Sequence, residues 1–291
     1  MLSPLPDTGS MSEASKELFI SQPGLTTSIR ELETEMGIKI FTRTNKGVVT
    51  SNEGERFLGY ARQVLEQASL LEGVYKSGTK IKQQFCVSTQ HYSFAVNAFV
   101  DLIRRFAGEE YDFSLRETET YEIIDDVAKM KSEIGILYLN SFNKDALMKI
   151  IKSKSLTFTE LFTAKPHVFV STDHPLADKK SVTMEELADY PYLSFEQGEH
   201  NSFYYSEEIF STVGRTKNIR VTDRATLFNL LIGLNGYTVC SGVIDNELNG
   251  DNITAIPLDE EGNMKIGYIE NKKILHSNLA EAYIEALKKH I

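Results

Sequence analysis

A short polar segment follows the strand-like run that begins at Phe85. Ser88, Thr89 and Gln90 lie between that run and a helical pattern that starts near Ser93. In α/β proteins small ligands bind where strands end and helices begin, because backbone N–H groups there face anions. Hydroxyl and amide side chains at this point suit a carboxylate, sulfate or phosphate group. The same hydroxyls could instead cap the next helix, and the pattern leaves both interpretations open.

Three further polar residues extend this predicted small-molecule site. They are Asn140 after a run ending at Leu139, Ser194 after Tyr192–Leu193, and Thr222 ahead of a helical pattern. Thr222, like the neighbouring Asp223, could also cap that helix. Asn140 and the segment around Pro257 are in addition expected to mark crossovers between two lobes.

No group of residues predicts catalysis or metal binding. Metal-ligand spacings, a nucleophile–base pair and a phosphate-binding loop are all missing from the sequence pattern. The two cysteines, Cys86 and Cys240, lie in apolar runs, which indicates buried free thiols in a reducing compartment. There is no signal-peptide pattern, and no apolar run reaches the roughly 18 residues of a membrane helix. We therefore expect a cytoplasmic protein without enzymatic activity, cofactor, metal or membrane partner.

Composition sets a second expectation. The length of 291 residues favours about two domains, and a hydrophobic content of 41% is typical of globular proteins. Lys and Arg number 31 against 41 Asp and Glu, so the formal net charge is −10. This excess of acid argues against nucleic-acid binding, since neutralising phosphates requires positive charge.

Two closely spaced helices are nevertheless predicted near the N-terminus. A capping box begins the first helix, whose apolar spacing spans residues 10–20. Ser21 can cap the second helix, which has a proline in its first turn and ends at Gly37. Short strands over residues 38–41 and 48–50 would then form a wing beside this helix-turn-helix.

A long helix is predicted from Asn52 to about Tyr75. Its apolar positions alternate spacings of four and three, which makes a coiled-coil seam over about three heptads. Such a seam indicates dimerisation with a second copy, while packing on the protein's own core is the alternative. The seam residues are Phe57, Ala61, Val64, Ala68, Leu71 and Tyr75.

Strand-like and helical patterns alternate from a polar hinge at residues 76–80 to the C-terminus. This alternation is typical of parallel sheets covered by helices, and the region is long enough for two lobes. The predicted strands lie at residues 85–88, 113–116, 134–139, 167–171, 192–195, 219–222 and 237–240, and a final helix lies at 277–290.

The start of the second helix, Ser21–Gln22–Pro23, is followed by the pair Leu32–Glu33, the segment from Gly37 to Phe41, and Arg43. In this combination and spacing, the N-terminal region resembles the LysR-type transcriptional regulators. The resemblance continues more loosely through the second half of the chain. In addition, Ser88–Thr89–Gln90 resembles the effector-site segment of the cysteine-biosynthesis branch of that family.

This resemblance implies an α+β winged helix-turn-helix and a long linker helix, joined to a two-lobed α/β effector domain similar to periplasmic binding proteins. A small metabolite, anionic or amino-acid-like, would bind between the lobes of a homodimer or tetramer. The implied domains are residues 1–52, 53–78 and 79–291, with the first lobe at about 81–161 and 267–291 and the second at about 162–266.

The resemblance also implies contacts to promoter DNA. The residues concerned are Ser21, Gln22, Pro23, Thr27 and Arg30 of the second helix and Arg43 of the wing. Hydroxyl and N–H groups at a helix start can reach phosphates, while amide and guanidinium groups can read base edges. Ser21 could instead be a plain N-cap, and Arg30 a solvated charge paired with Glu31 or Glu33.

Two features depart from the family pattern. The segment Met1–Asp7 contains two prolines, so the family's first helix is expected to be truncated or replaced. Residues 1–75 carry seven positive and ten negative side chains, which predicts a modest electrostatic contribution to DNA affinity. We therefore predict a ligand-responsive transcription regulator, with a DNA-incompetent sensor and oligomerisation partner as the alternative.

Overall fold

The computed structural model describes residues 11–44, 47–75, 83–106, 108, 110–244 and 250–291. The chain divides into two compact units, Met1–Ile81 and Lys82–Ile291. Among the described helices, none is both long and apolar enough to cross a membrane. The predicted hinge and the segment Met1–Asp7 lie outside the described residues.

The N-terminal unit contains the predicted helix-turn-helix, wing and long helix. Its elements are α1 (Met11–Glu17), α2 (Gln22–Met36), β1 (Phe41–Thr44), β2 (Gly47–Thr50) and α3 (Asn52–Tyr75). The strands β1 and β2 pair antiparallel, from Phe41 opposite Thr50 to Thr44 opposite Gly47. Helix α1 ends at Glu17, earlier than predicted, and Phe19 has a left-handed φ of 54°. A left-handed residue cannot continue a right-handed helix, so the chain turns there into α2.

Both predicted ends of α2 are confirmed. The Ser21 hydroxyl oxygen accepts a hydrogen bond from the Gly24 N–H at 3.2 Å, as an N-cap does. At the other end Gly37 has a φ of 66°, and its N–H donates to the Glu33 carbonyl. Glycine adopts this left-handed conformation without steric cost, so it ends the helix cleanly.

The predicted strand over residues 38–41 is wrong, because β1 begins only at Phe41. The N–H groups of Ile40 and Phe41 donate to the Glu33 carboxylate at 2.8 and 3.1 Å. Residues 38–40 are therefore held against α2 by a side chain. A strand pattern in sequence cannot distinguish this arrangement from a ladder of backbone hydrogen bonds.

Helix α3 begins directly against the entrance to the wing. The Ser51 oxygen accepts from the Gly54 N–H at 2.9 Å, and the Ser51 hydroxyl donates to the Lys39 carbonyl. A Cβ on Gly54 would lie 2.1 Å from the Ile40 carbonyl oxygen. Glycine is thus required at this position, since any side chain would force α3 away from the loop before β1.

The C-terminal unit is an α/β structure with more strands than the sequence predicted. Its strands are β3 (Gln83–Thr89), β4 (Tyr111–Glu117), β5 (Ile134–Leu139), β6 (Leu156–Ala164), β7 (His167–Ser171), β8 (Tyr192–Phe195), β9 (Asn218–Val221), β10 (Thr238–Cys240), β11 (Ile253–Pro257) and β12 (Met264–Asn271). Its α-helices are α4 (Ser93–Phe106), α5 (Thr120–Ala128), α6 (Lys144–Ser153), α7 (Arg224–Leu234) and α8 (Asn278–Leu287), with a 3-10 helix at Phe203–Tyr205. Sequence reasoning missed β6, β11 and β12.

The sheets are mixed, so the expectation of parallel sheets is wrong. A five-stranded sheet has the order β4-β3-β5-β12-β6, in which β3 is parallel to β4 and β5. Strand β12 is antiparallel to both β5 and β6. In the rest of the unit, β7 pairs antiparallel with β10 and β11, and β8 pairs parallel with β9. The chain leaves the five-stranded sheet after β6 and returns to it as β12, which runs antiparallel to both of its neighbours.

The two lobes are joined where these strands leave and return. The five-stranded sheet takes its strands from residues 83–164 and 264–271, and the strands of the two smaller sheets lie between residues 167 and 257. One crossover follows Pro257, as expected, but Asn140 does not mark the other. Its side-chain oxygen accepts from the N–H groups of Phe142 and Asn143 at 2.9 and 2.8 Å, within the loop that leads to α6.

Candidate functional site

Helix α2 presents a continuous polar surface. Its buried side carries Leu25 and Glu33, which face the interior of the N-terminal unit. The predicted DNA-contact residues on the helix and at its cap are all exposed, namely Ser21, Gln22, Pro23, Thr27 and Arg30. Positions four and three apart share one face of a helix, so Pro23, Thr27 and Arg30 lie together.

Glu33 has a structural role that its family resemblance did not disclose. Besides the two backbone N–H groups, its carboxylate accepts from the Lys39 ammonium at 2.9 Å. Burial opposes ionisation of Glu33, but the hydrogen bonds from Phe41, Lys39 and Ile40 outweigh it and lower its pKa. Its carboxylate therefore binds Lys39, Ile40 and Phe41 at the entrance to the wing, whereas the sequence had suggested a pairing with Arg30.

The wing supplies the backbone position of Arg43, opposite Val48 in the β1–β2 pair. The Arg43 side chain lies outside the described part of the structure. Its predicted contact with the DNA backbone therefore stays a prediction.

Part of the predicted seam of α3 faces solvent. Val64 is 67% exposed and Ala68 is exposed, while Phe57 and Ala61 are half-buried. The side chains of Leu71 and Tyr75 lie outside the described part of the helix. Exposed apolar residues at heptad spacing are the pattern that a paired helix would bury.

In the C-terminal unit, which contains the predicted effector residues, Ser88 is fully buried in a polar cluster. Its hydroxyl donates to Asp126 at 2.8 Å and lies 2.7 Å from the Ser132 oxygen. The Cys86 thiol lies 3.1 Å from the same Ser132 oxygen, and burial raises its pKa. Both Cys86 and Cys240 are free thiols, but as residues they are half-buried, not buried as predicted.

Thr89 and Gln90 are also fully buried and engaged internally. Thr89 donates to the Gln90 carbonyl at 2.7 Å. The Gln90 amide donates to the Thr120 hydroxyl at 2.6 Å and its oxygen accepts from the Tyr138 N–H at 3.0 Å. The segment predicted to bind effector therefore fixes the position of the residue that follows it, His91.

His91 meets a carboxylate from the other lobe. The Glu207 carboxylate accepts from the His91 N–H at 3.0 Å and lies 2.9 Å from the ring Nδ1. The Gln197 amide also donates to Glu207, at 3.1 Å. Burial disfavours protonation of His91, but the carboxylate of Glu207 overrides it and raises the His91 pKa. The His91 ring lies flat on Phe195, with centroids 3.8 Å apart.

Two more polar contacts join the lobes around this pair. The Arg224 guanidinium lies 3.1 Å from the Glu117 carboxylate. The Thr120 N–H donates to the Gln197 side-chain oxygen at 3.0 Å. The lobes are thus connected by hydrogen bonds and charge pairs at the ends of β3 and β4, and the end of β3 is where the sequence predicted a ligand.

Glu208 lies next to Glu207 and is buried. Its carboxyl oxygen accepts from the Phe195 N–H at 2.8 Å. Burial and the neighbouring Glu207 raise the pKa of Glu208 to about 8. Glu208 is therefore mostly neutral at pH 7.

A small cavity of about 50 Å³ adjoins these residues. Its polar lining includes His91, Ser93, Glu207, Glu208 and Arg224, and its apolar lining includes Phe169, Phe195, Leu227 and Phe228. A water molecule occupies about 30 Å³ in the liquid, so this space holds one or two waters. None of the predicted effector residues is among the described residues that line it.

The remaining predicted effector residues are dispersed. Ser194 lines a groove of about 670 Å³ together with Arg215 and Arg220, and this groove shares Phe195 and Glu208 with the small cavity. Thr222 is exposed, and Asp223 is the cap of α7, accepting from the Thr226 N–H at 2.8 Å. Within the described ranges, no group of three or more His, Cys, Asp or Glu side chains could hold a metal ion.

Sequence reasoning did not find His91, Gln197 or Glu207. Glu207 lies 116 residues from His91 along the chain, within a segment that has no recognisable binding motif. The one available signal was position, because His91 directly follows the polar segment that was singled out.

Comparison with known proteins gives a consistent assignment. Residues 87–291 match the LysR substrate binding domain, and residues 5–55 match the bacterial regulatory helix-turn-helix protein, lysR family. The transcriptional regulator CysB of Burkholderia cenocepacia is 28% identical over 192 residues, which is 64% of this chain and 58% of that protein. The uncharacterised regulator YnfL of Escherichia coli is 28% identical over 63% of this chain and 59% of its own length.

The chain therefore aligns with less than two thirds of the length of these curated relatives. A full-length OxyR variant from Pseudomonas aeruginosa has a similar fold, with a TM-score of 0.62 at 18% identity. That similarity covers 96% of this chain and 92% of the OxyR chain. Since two family domains together match most of the sequence, the chain belongs to the LysR family of bacterial helix-turn-helix transcriptional regulators.

Proposed function

We propose that this protein regulates transcription by binding promoter DNA through α2 and the wing and by sensing a small molecule between the lobes of its effector unit. The observation that carries the proposal is the exposed polar face of α2, which is fixed at both ends by its caps and held to the wing by Glu33. This is the arrangement that a recognition helix needs to enter a major groove. The names of the aligned regulators support the proposal.

Arg30 offers the sharpest test of DNA binding. A guanidinium on the exposed face of α2 can contact phosphate or guanine, a contact worth about 1–3 kcal/mol. Arg30→Ala should weaken binding to the protein's own upstream region about tenfold or more in gel shifts across a salt series. Arg104→Ala removes the same charge from an exposed position in α4 and is the matched control.

The outcomes separate the two proposed functions. Specific binding with a steep salt dependence, reduced by Arg30→Ala alone, supports the regulator. An absence of binding at low salt by a folded dimer would contradict it and favour the DNA-incompetent sensor. A regulator of this kind works on chromosomal DNA, and we accordingly place it in the cytoplasm.

We propose that α3 pairs two copies through its exposed seam. Val64 and Ala68 are apolar residues at heptad spacing, and burying them against a second α3 would remove apolar surface from water. Assembly into a dimer or tetramer would place two recognition helices on successive half-sites.

We propose that the effector binds at the cleft between the lobes, beside His91. The buried hydrogen bonds of Ser88, Thr89 and Gln90 support this assignment, because they hold the His91 backbone at the end of β3. Ser88→Ala and Thr89→Ala should weaken the response to effector and leave the DNA affinity of the free protein nearly unchanged. Unchanged effector affinity in calorimetry would contradict the assignment.

In this proposal a ligand acts by shifting the balance between lobe arrangements. The cleft is bridged by polar contacts from both lobes, so a bound molecule can favour one arrangement through the contacts it adds or replaces. A change in lobe arrangement would then alter how effector units pack in the oligomer and how the winged helices are spaced on DNA.

A further inference from the structure

Glu207 occupies its site in the way a bound carboxylate would. Its side chain is only 5% exposed, and a buried carboxylate requires hydrogen-bond donors to offset its desolvation. Three donors converge on it, namely the His91 N–H at 3.0 Å, the His91 ring nitrogen at 2.9 Å and the Gln197 amide at 3.1 Å. These groups form an anion-binding site, and it is occupied by the Glu207 carboxylate of the same chain.

The donors come from both lobes. His91 lies two residues after the end of β3 in the first lobe, whereas Gln197 and Glu207 belong to the second lobe. Gln197 also accepts from the Thr120 N–H of the first lobe at 3.0 Å. The Glu207 carboxylate therefore bridges the two lobes, which is the position the proposed function gives to the effector.

The surroundings suit a single small carboxylate. One face of the His91 ring is covered by Phe195, and the ring edge meets Glu207 through Nδ1. Glu117 is paired with Arg224, and Glu208 is mostly neutral at pH 7, so neither places a second unpaired charge beside the site. On the His91 side, the adjoining cavity of about 50 Å³ adds room for only a few atoms, while Gln197 and Glu208 also line the groove of about 670 Å³.

We propose that the three donors are the carboxylate-binding site of the effector cleft, that Glu207 is its internal occupant, and that the effector is a small carboxylate which displaces Glu207. This inference rests on the proposed function, which places a small-molecule effector between the lobes. Binding of a carboxylate to the site can be tested without DNA. A ligand that replaces the Glu207 side chain must be comparable with it in size, as acetate and propionate are.

The test is calorimetric titration of the full chain with sodium acetate at constant ionic strength. The variants are Glu207→Ala, which removes the internal carboxylate, and Glu207→Gln, which keeps its size but not its charge. Glu199→Ala removes an exposed carboxylate from the same segment and is the matched control. We expect acetate to bind Glu207→Ala at least tenfold more tightly than wild type. Its affinity for Glu207→Gln should be intermediate, and its affinity for the Glu199→Ala control should equal that for wild type.

A second measurement reports on the site itself. In NMR titrations, the His91 pKa should fall in Glu207→Ala, because its carboxylate partner is gone, and should rise again when acetate is added. Acetate binding no tighter in Glu207→Ala and Glu207→Gln than in wild type would overturn the proposal. If Glu207→Ala does not fold, the titration of Glu207→Gln decides in the same way.

Other probes distinguish the chemical class of the ligand. Tighter binding of sulfate than of acetate by Glu207→Ala would indicate a general oxyanion site and overturn the carboxylate assignment. Binding of ethylammonium by the wild type would show that Glu207 and Glu208 recognise an amine, which also overturns it. If acetate binds the variant tightly but DNA affinity never responds, the site stands and the proposed regulatory function fails.

Discussion

The Glu33 carboxylate joins α2 to the wing, and its replacement by a neutral amide measures that connection. Glu33→Gln preserves the size of the side chain but removes the negative charge that three donors share. Hydrogen bonds to a charged group contribute roughly 1.5–3 kcal/mol, and the new amide can still accept from one N–H. We expect the attachment of residues 38–41 to α2 to lose about 2–3 kcal/mol.

Amide hydrogen exchange reads this loss locally. Since 1.4 kcal/mol corresponds to a factor of ten, exchange of the Ile40 and Phe41 amides should accelerate by roughly 30- to 150-fold at neutral pH. Glu35→Gln, an exposed change in the same helix, should leave these rates unchanged. Equal rates in Glu33→Gln and wild type would refute the role assigned to Glu33.

The pH dependence supplies an independent check. The folded pKa of Glu33 is lowered from its ordinary value of 4.5, so its ionised form stabilises the folded unit. This stabilisation is present above about pH 4.5 and is lost as the pH falls through the folded pKa. Protection of the Ile40 amide should therefore fall on acidification in the wild type and remain low throughout in Glu33→Gln.

Three further substitutions test other parts of the fold. Gly54→Ala places a Cβ 2.1 Å from the Ile40 carbonyl oxygen and should destabilise the N-terminal unit by at least about 2 kcal/mol, measured as faster amide exchange at the start of α3. Glu208→Gln can still accept a hydrogen bond from Phe195 and has no proton to lose. Because the Glu208 pKa is raised to about 8, the variant should unfold at a higher temperature than wild type at pH 8 and at nearly the same temperature at pH 4. Equal unfolding temperatures of variant and wild type at both pH values would contradict the effect assigned to burial. Val64→Glu places a charge on the exposed seam of α3 and should shift the dimer towards monomer in sedimentation experiments, whereas an unchanged assembly would contradict pairing through α3.

Local features of the fold were predictable because their causes lie within a few residues. Ser21 caps α2 through the N–H three residues later, and Gly37 ends the helix through its own φ. The six residues of β5 are all buried, and the run of apolar side chains marked its bounds. Such features depend on backbone conformation and side-chain type, which can be identified from neighbouring letters.

The first wing strand shows where local sequence patterns no longer predict the structure. Residues 38–41 alternate as a strand would, but Glu33 captures two of the backbone N–H groups needed for a ladder. Likewise, β12 runs antiparallel to β5 because the chain returns from the second lobe, a direction that its own residues do not encode. Tertiary connection decided both cases.

In the candidate site, too, some features follow from nearby residues and others depend on the tertiary structure. The sequence determined that a polar segment ends β3, that α2 exposes a polar face, and that the chain resembles LysR-type regulators, since each depends on residues close together. Only the tertiary structure decided that Ser88, Thr89 and Gln90 bond inward and that His91 receives Glu207. A buried carboxylate and its donors are brought together by the packing of two lobes, and no spacing in the sequence records which carboxylate will fill a given set of donors.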